Sequence, residues 1–498
     1  MMKQTLLVER VMDETRLAVV EDGQLMELYV ERPGMENLSG NIYLGRVENV
    51  LPGMNAAFVD IGMDKNGFLA AGDIGVDARG HRALTAALEG ARVEKLVRPG
   101  SQLLVQVIKS QPGGKGPRLS SHITLPGRLM ALLCDVRYVG VSKKISDVAE
   151  RERLRGLGLS LLDRGGAGLI LRTAASGASE DDLRAEYERL SALWTELQNR
   201  AVHGVAPRML HDDNALTLRA VRDRLGENTE ALWADGDVLF DELRGLAGAL
   251  APAWRDRIQP HKGQMPLFDL YRVDNQASKA LQKFVWLKSG GSLVIEETEA
   301  LTVIDVNTAK NVGKKSAEDT IFRNNCEAAR EIMRQLRLRD IGGIVVIDFI
   351  DMKDKAHREA LLDVLRECAA NDGVRVNVVG ITALGLVELT RKRARQSLLR
   401  QLTHTCSDCG GNGVVPSHET SARRAVREIW RRRRAGESNP MLVEAAPPVC
   451  GWLRAIGVPQ GGLVYVRPVE GMAAGEYEIS PADESALQQG CKLLKQRG

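Results

Sequence analysis

From residue 40 to 69 the chain reads GNIYLGRVENVLPGMNAAFVDIGMDKNGFL, where apolar and polar positions alternate in short runs interrupted by Pro-Gly and Asn-Gly. Period-two alternation punctuated by turn residues predicts strands, and the signal resumes in SQLLVQVIK after Gly100, so a small all-β barrel is expected. Between about 125 and 280 the pattern is mixed α/β. SEDDLRAEYERLSALWTEL opens on a capping box, Ser179 to Asp182, and sets Leu183, Tyr187, Leu190, Trp194 and Leu197 on one helical face, a packing stripe. From about 283 to 400, SLVIEE and ALTVIDVN read as paired strands and SAEDTIFRNNCEAAREIMRQLRLRD as a helix stopped by Gly342 and Gly343. IVVIDFID is the next strand and KAHREALLDVLRECAA the helix after it. This β-helix-β order predicts a layered α/β domain, in which sites gather at the carboxyl ends of strands.

LTVIDVN at 301–307 and GIVVIDFIDM at 343–352 are apolar enough to predict buried strands, yet they carry Asp305 and Asp348. A lone buried carboxylate is strongly disfavoured without a cation or hydrogen bonds. If the two strands are neighbours, the carboxylates converge near strand ends and repel. Mg²⁺ relieves that repulsion, because it takes one or two carboxylates and keeps waters for chemistry. Asn307 would donate to one Asp305 oxygen and leave the other for metal. The alternative is a structural pair satisfied by Arg337, Arg339 or backbone donors. Asp351 is a rival third ligand placed past the strand.

Three further groups carry chemistry. Phe58 and Phe68 fall on neighbouring strands of the barrel and either stack on unpaired bases or fill its core. Arg172 and Thr173 end the strand in GAGLILRTAASGAS, where a guanidinium, a hydroxyl and backbone N–H groups suit a phosphate; an ordinary surface Arg is the other reading. Cys406 and Cys409 in THTCSDCGGNG form half a zinc ribbon. Two chains each giving two thiolates would complete a tetrahedral site; His404 as a third ligand, or a metal-free redox pair, are the alternatives.

At 498 residues, 44% of them hydrophobic, the chain divides into several domains. No apolar run approaches the ~18 residues of a membrane span, and MMKQTLLVERVMDETR does not read as a signal peptide. Seven cysteines in this length make no disulfide scaffold, which points to a reducing cytoplasm. The net charge of +3 decides nothing, but Arg391 to Arg434 holds 12 Lys/Arg against three Asp/Glu, either a solvated face or a surface for an anionic partner.

GNIYLGRVENVLPGMNAAFVDIG, HITLPGR, LILRTAA, LKSGG, ALTVIDVNTA, LRLRDIGGIVVIDFIDM, ALGLVELTRKR and the C-x-x-C together resemble the bacterial ribonuclease E/G family, from roughly residue 5 to 415. The resemblance implies a multidomain α/β fold. Its parts are the first part of a ribonuclease H-like domain (1–38), an OB-fold RNA-binding domain with a 5′ sensor (39–124), and the rest of the ribonuclease H-like domain (125–282). A DNase I-like catalytic domain (283–400), a zinc-link (401–415) and a small C-terminal domain (416–498), read as helical, complete it. It implies a single-strand-specific, Mg²⁺-dependent endoribonuclease acting at A/U-rich sites and leaving 5′-phosphate and 3′-hydroxyl ends. Stimulation by a 5′-monophosphate, and work in ribosomal RNA 5′-end maturation and messenger decay, are implied too. A non-catalytic RNA-binding scaffold is the alternative. By the family pattern Asp305 and Asp348 hold Mg²⁺ with Asn307 in support, and Phe58, Phe68 and Lys115 grip single-stranded RNA. Gly127, Arg172 and Thr173 sense the 5′-phosphate, and Cys406 and Cys409 share Zn²⁺ across a homodimer. Ala131 departs from the pattern, standing where larger apolar residues are usual beside the sensor.

Overall fold

The computed structural model describes residues 3–33, 38–75, 92–109, 116–165, 167–308, 317–473, 475–482 and 491–497. It divides into two units, Met1–Gln401 and Leu402–Gly498.

The first unit opens on an antiparallel meander of β1 (Gln4–Val11), β2 (Glu14–Glu21) and β3 (Gln24–Glu31). The chain then leaves this sheet to build a barrel from β4 (Ile42–Leu51), β5 (Ala56–Asp60), β6 (Gly67–Ala70), β7 (Gln102–Lys109) and β8 (Arg118–Ser120). Because β4 pairs with both β5 and β7, the order β4-β5-β6-β8-β7 closes on itself, consistent with an OB-like fold. Tyr43, Val47, Val59, Leu69, Val105 and Leu119 fill its interior.

A four-stranded sheet follows, β11-β12-β10-β9, from β9 (Thr124–Pro126), β10 (Met130–Leu133), β11 (Val139–Val141) and β12 (Gly168–Leu171). The Glu180–Val202 helix covers it, and Leu183, Tyr187, Leu190, Trp194 and Leu197 share a core with Met130, Leu132, Leu169 and Leu171. Its start is the capping box expected: Ser179 accepts from the Asp182 N–H and Asp182 accepts from the Ser179 N–H, an arrangement worth about 1 kcal/mol. β13 (Arg208–His211) pairs with β4 of the barrel. β14 (Thr229–Asp235) then returns to the first sheet parallel to β1, and β15 (Ile258–His261) completes the order β15-β14-β1-β2-β3. The barrel and the four-stranded sheet are thus excursions from one sheet begun at residue 4.

The third part is a sheet of order β16-β17-β18-β19-β21-β20. Its strands are β16 (Phe284–Trp286), β17 (Ser292–Glu297), β18 (Leu301–Asn307), β19 (Gly343–Asp348), β20 (Val376–Ile381) and β21 (Val387–Arg391). β18 and β19 run parallel, joined by the Ala317–Leu338 helix. That helix and Lys355–Ala370 cover the same face, burying Leu293, Ile304, Val306, Ile347 and Leu389 against Ile332, Leu336, Leu361 and Leu365. The opposite face stays open, with Val303 and Ile344 exposed.

The second unit is mixed α/β where the sequence suggests a helical domain. Its sheet joins Met441–Ala445, Val464–Pro468, Tyr477–Pro481 and Lys492–Leu493. Ala422, Ala425 and Ile429 of the His418–Arg434 helix pack with Val449 and Leu453 into the core beneath those strands. MLVEA and VYVRP are each five residues long, too short for alternation to stand out beside a 17-residue helix. The basic block proves divided in role. Arg391 is buried between Asp340 (3.0 Å) and Asp372 (2.9 Å), and Arg432 and Arg433 donate to backbone carbonyls. Arg424, Arg427, Arg431 and Arg434 lie exposed, Arg434 over the Trp430 ring at 4.8 Å. Among the described residues no helix is long and apolar enough to cross a membrane.

Candidate active site

Parallel pairing of β18 and β19 sets Asp305 directly beside Asp348, their backbones about 5 Å apart. The expected burial of these carboxylates is corrected. Along β18, Thr302, Ile304 and Val306 are buried while Val303, Asp305 and Asn307 face solvent, and Asp348 is exposed likewise. Each strand keeps its water, so no desolvation penalty arises; what remains is like-charge repulsion of about 1 to 3 kcal/mol at this separation. Asn307 Nδ2 donates to Asp305 Oδ2 at 2.7 Å, as expected of an orienting amide. The alternative partners are engaged elsewhere. Arg337 pairs with Glu21 (2.8 Å) and Glu27 (2.6 Å), and Arg339 Nε donates to Gln335. Among the described residues neither aspartate has an ion pair, and no third His, Cys, Asp or Glu joins them. Asp351 lies exposed in the loop beyond β19. Two acidic groups and an amide, open to water and unneutralised, are a donor set that fits Mg²⁺, which is satisfied with one or two carboxylates.

Two supports of this site escape sequence reasoning. Asn325, fully buried on the Ala317–Leu338 helix, donates to the Ile350 carbonyl (2.8 Å) and accepts from the Ile350 N–H (3.2 Å), which pins the chain just after Asp348. Glu318 on the same helix accepts from the N–H groups of Lys353 and Asp354. The signal for Asn325 was its place three residues after Phe322 and seven before Ile332, on a stripe otherwise apolar.

In the barrel, Phe58 and Phe68 are register partners on β5 and β6, half-buried, with ring centroids 5.9 Å apart and edge to face. The core is filled by their neighbours Ala57, Val59 and Leu69, so the rings belong to the outer face. Arg118 of β8 is the register partner of Phe68, and its guanidinium is paired with Asp73 at 2.9 Å. Lys115 lies outside the described residues.

Gly127, Arg172 and Thr173 also come together. The Arg172 guanidinium donates to the Gly127 carbonyl and to Asp223 Oδ1 (3.0 Å), and Thr173 Oγ1 lies 3.0 Å from Ser142 Oγ. Several backbone N–H groups expected to be available here are already used. Buried Glu186 accepts from those of Arg128 (2.6 Å), Leu129 (2.6 Å) and Met130 (3.1 Å), and Arg172 N–H goes to the Leu129 carbonyl. Position 127 has to be glycine, since a Cβ would stand 2.6 Å from Glu186 Oε1. Asp223 was not foreseen. Burial would raise its pKa, but hydrogen bonding and charge from Arg222, then Arg172, hold it below the usual carboxylate range. Ala131 is the register partner of Ile170 on β12, two residues before Arg172.

A model described as the Ribonuclease E/G family matches residues 124–394. Proteins named Ribonuclease G from Escherichia coli (strain K12) and Haemophilus influenzae are 40% and 41% identical over 90% of this chain, covering 92% and 91% of their own lengths. The chain belongs to the ribonuclease E/G family. Ribonuclease E of Escherichia coli (strain K12) is 35% identical over 90% of this chain, which spans 42% of that longer protein. As a member of the ribonuclease E/G family the chain is an endoribonuclease, of a class of nucleases that is generally metal-dependent.

In this ribonuclease E/G member the second unit begins with the C-x-x-C. Left-handed Gly410, Gly411 and Gly413 curl the backbone around Cys409. The N–H groups of Gly413 and Gly411, with the Cys406 thiol, hold the Cys409 thiol below the usual thiol range. A thiol lowered in this way, in a C-x-x-C, is donor chemistry that suits zinc. His404 does not join them as a third ligand among the described residues.

Proposed function

We propose that this chain is a single-strand-specific endoribonuclease that hydrolyses A/U-rich RNA to 5′-phosphate and 3′-hydroxyl ends, with Asp305 and Asp348 holding Mg²⁺. The observation that carries the reading is the register pairing of two solvent-facing aspartates that have no ion pair among the described residues, one of them oriented by Asn307 at 2.7 Å. Bound there, Mg²⁺ would supply charge neutralisation at the scissile phosphate and a more acidic water. The chain's own part is to orient. Asn307 occupies one oxygen of Asp305, and Asn325 fixes the end of β19, so the two carboxylates keep one geometry. Phe58 and Phe68 stack on bases that a duplex does not offer, with Arg118 and Lys115 on the backbone. Incubating labelled single-stranded and duplex RNA with the protein, with Mg²⁺ or with EDTA, tests this. Cleavage of the single strand in Mg²⁺ alone is expected; binding without cutting would mean an RNA-binding scaffold.

The same reading assigns Gly127, Arg172 and Thr173 to a pocket for a 5′-monophosphate that stimulates cleavage. Arg172→Gln should erase the preference for 5′-monophosphorylated over 5′-hydroxyl RNA, a loss of about tenfold or more for a charge-assisted contact. Comparing initial rates on the two substrates checks it, and an unchanged ratio moves the pocket elsewhere. Cys406 and Cys409 would share Zn²⁺ with their counterparts in a second copy, giving a homodimer. Native mass measurement should show a zinc-containing dimer that chelation converts to monomer; a dimer free of zinc speaks against the link.

We take the fold as an OB-type barrel inserted in a ribonuclease H-like domain (1–38 and 125–282, around 39–124), then a DNase I-like catalytic domain (283–400), a zinc-link (401–415) and a small C-terminal domain (416–498). Work on ribosomal RNA precursors and messengers in the cytoplasm completes the proposal.

A further inference from the structure

On the open face of the β16–β21 sheet, residues in register line up in rows. One row runs Phe284, Val294, Asp305, Asp348, and the next runs Trp286, Ser292, Asn307. Each step across a sheet is about 4.8 Å, so each ring stands two steps, about 10 Å, from the acidic or amide group in its row. Val285 between them turns inward against the helix-covered core, which fixes Phe284 and Trp286 on the outer face. They are 59% and 76% exposed, in a chain with only seven Phe and six Trp. Large rings left this open lose the burial that normally stabilises them, so the pair points to a partner.

We propose that Phe284 and Trp286 form a second stacking platform, taking unpaired bases of the RNA strand on one side of the phosphate positioned at Asp305 and Asp348. This rests on the proposed function. Unpaired RNA is favoured because the rings are continuous with the candidate active site: Val294 and Ser292 make a low floor between them and the carboxylates, with no larger side chain in either row. Aromatic faces accept any base, which suits a binding site that must hold many sequences. Lys288, exposed just past β16, supplies a cation near the platform for the backbone of the same strand. The barrel pair Phe58 and Phe68 and this pair would then hold one strand at separate points, and the phosphate between them would be presented in a single register.

The test uses the full chain carrying Asp305→Asn, so that RNA is bound without being cut, and adds Phe284→Ala, Trp286→Ala or both. Fluorescence anisotropy with a labelled single-stranded oligoribonucleotide reads the dissociation constant, which should rise about tenfold per ring removed, the scale of one base stack. An oligomer with abasic units beside the cleavage site should bind the parent protein correspondingly worse, yet bind the double variant no worse than the intact oligomer does. Phe284→Tyr with Trp286→Phe should restore affinity. Equal affinity of parent and variants for intact RNA would overturn the platform, as would an abasic penalty that persists when both rings are gone. Native mass is recorded alongside: if the rings instead cover a second copy, the variants lose the dimer and any affinity change disappears at saturating protein, which also overturns the proposal. Failure of the wild-type chain to cleave in Mg²⁺ would strike the proposed function, whereas the anisotropy result decides the platform without cleavage.

Discussion

Asp305→Asn and Asp348→Asn should each abolish RNA cleavage, by about a thousandfold or more, while RNA binding and the fold survive. The fold survives because both carboxylates are exposed and make no ion pair among the described residues, so an isosteric amide leaves no buried charge behind. Surface changes of that kind usually shift stability by about 0.5 kcal/mol or less. At position 305 the new amide can still turn an oxygen toward Asn307 Nδ2, so the 2.7 Å contact is replaceable. What cannot be replaced is charge. One carboxylate alone attracts a divalent cation far less, and about 4 kcal/mol of lost transition-state stabilisation is a thousandfold in rate. Single-turnover cleavage of a labelled single strand, with anisotropy for binding, separates the two effects. Near wild-type cleavage by either variant would remove the aspartates from the reaction.

The second large effect concerns Glu27, and its readout is stability. This β3 residue is 4% exposed and faces Arg224 (Nη1 to Oε1, 3.1 Å) and Arg337 (Nε to Oε1, 2.6 Å), with the Tyr29 hydroxyl also donating to it. Arg337 belongs to the Ala317–Leu338 helix, so the cluster ties the first sheet to the helix behind Asp305 and Asp348. Burial alone would raise the Glu27 pKa, but Arg224 and then Arg337 outweigh it and hold the carboxyl down from 4.5 to about 2. A carboxylate with a lowered folded-state pKa stabilises the fold above its unfolded value and loses that contribution as pH falls. Between pH 4.5 and 2, therefore, about 3 kcal/mol should disappear at this position. Glu27→Gln should remove about 3 kcal/mol at neutral pH, because Arg224 loses its counter-charge and Arg337 keeps only Glu21, and should flatten the acid limb of the profile. Urea unfolding of the first unit across pH 2 to 7, for both proteins, provides the check. An acid limb unchanged by the substitution would place the pH sensitivity elsewhere.

Much of the β16–β21 sheet is legible in the chain, because its strands and helices have periods that do not overlap. SLVIEE, ALTVIDVN and the helix over KAHREALLDVLRECAA occur where their patterns indicate. The face of Asp305 is not legible, for a specific reason. Val303 and Ile344 occupy outward positions, so alternation in both strands is masked and each run looks buried on two sides. Phe58 poses the same difficulty in reverse: it alternates correctly with Ala57 and Val59, but small alanines beside a large ring do not say which side is the core. Glu27, Glu186 and Asp223 are opaque because their partners are remote. Arg224 lies 197 residues and Arg337 310 residues from Glu27, and no local spacing announces such a meeting. Glu186 alone left a trace, three residues past Leu183 on the apolar stripe of its helix.

The way β14 slots in beside β1 has a consequence for synthesis. β1 is complete at Val11, but the neighbour on its free side begins at Thr229, about 220 residues later. At a ribosomal rate of 5 to 20 residues per second that is a gap of roughly 10 to 40 seconds. Throughout it the emerging chain displays an unsatisfied strand edge, while the barrel, whose last strand ends at Ser120, already has everything required to close. The nascent polypeptide therefore matures from the inside outward, and its opening hairpins are the segment most in need of shielding from other chains until residue 235 has cleared the exit tunnel.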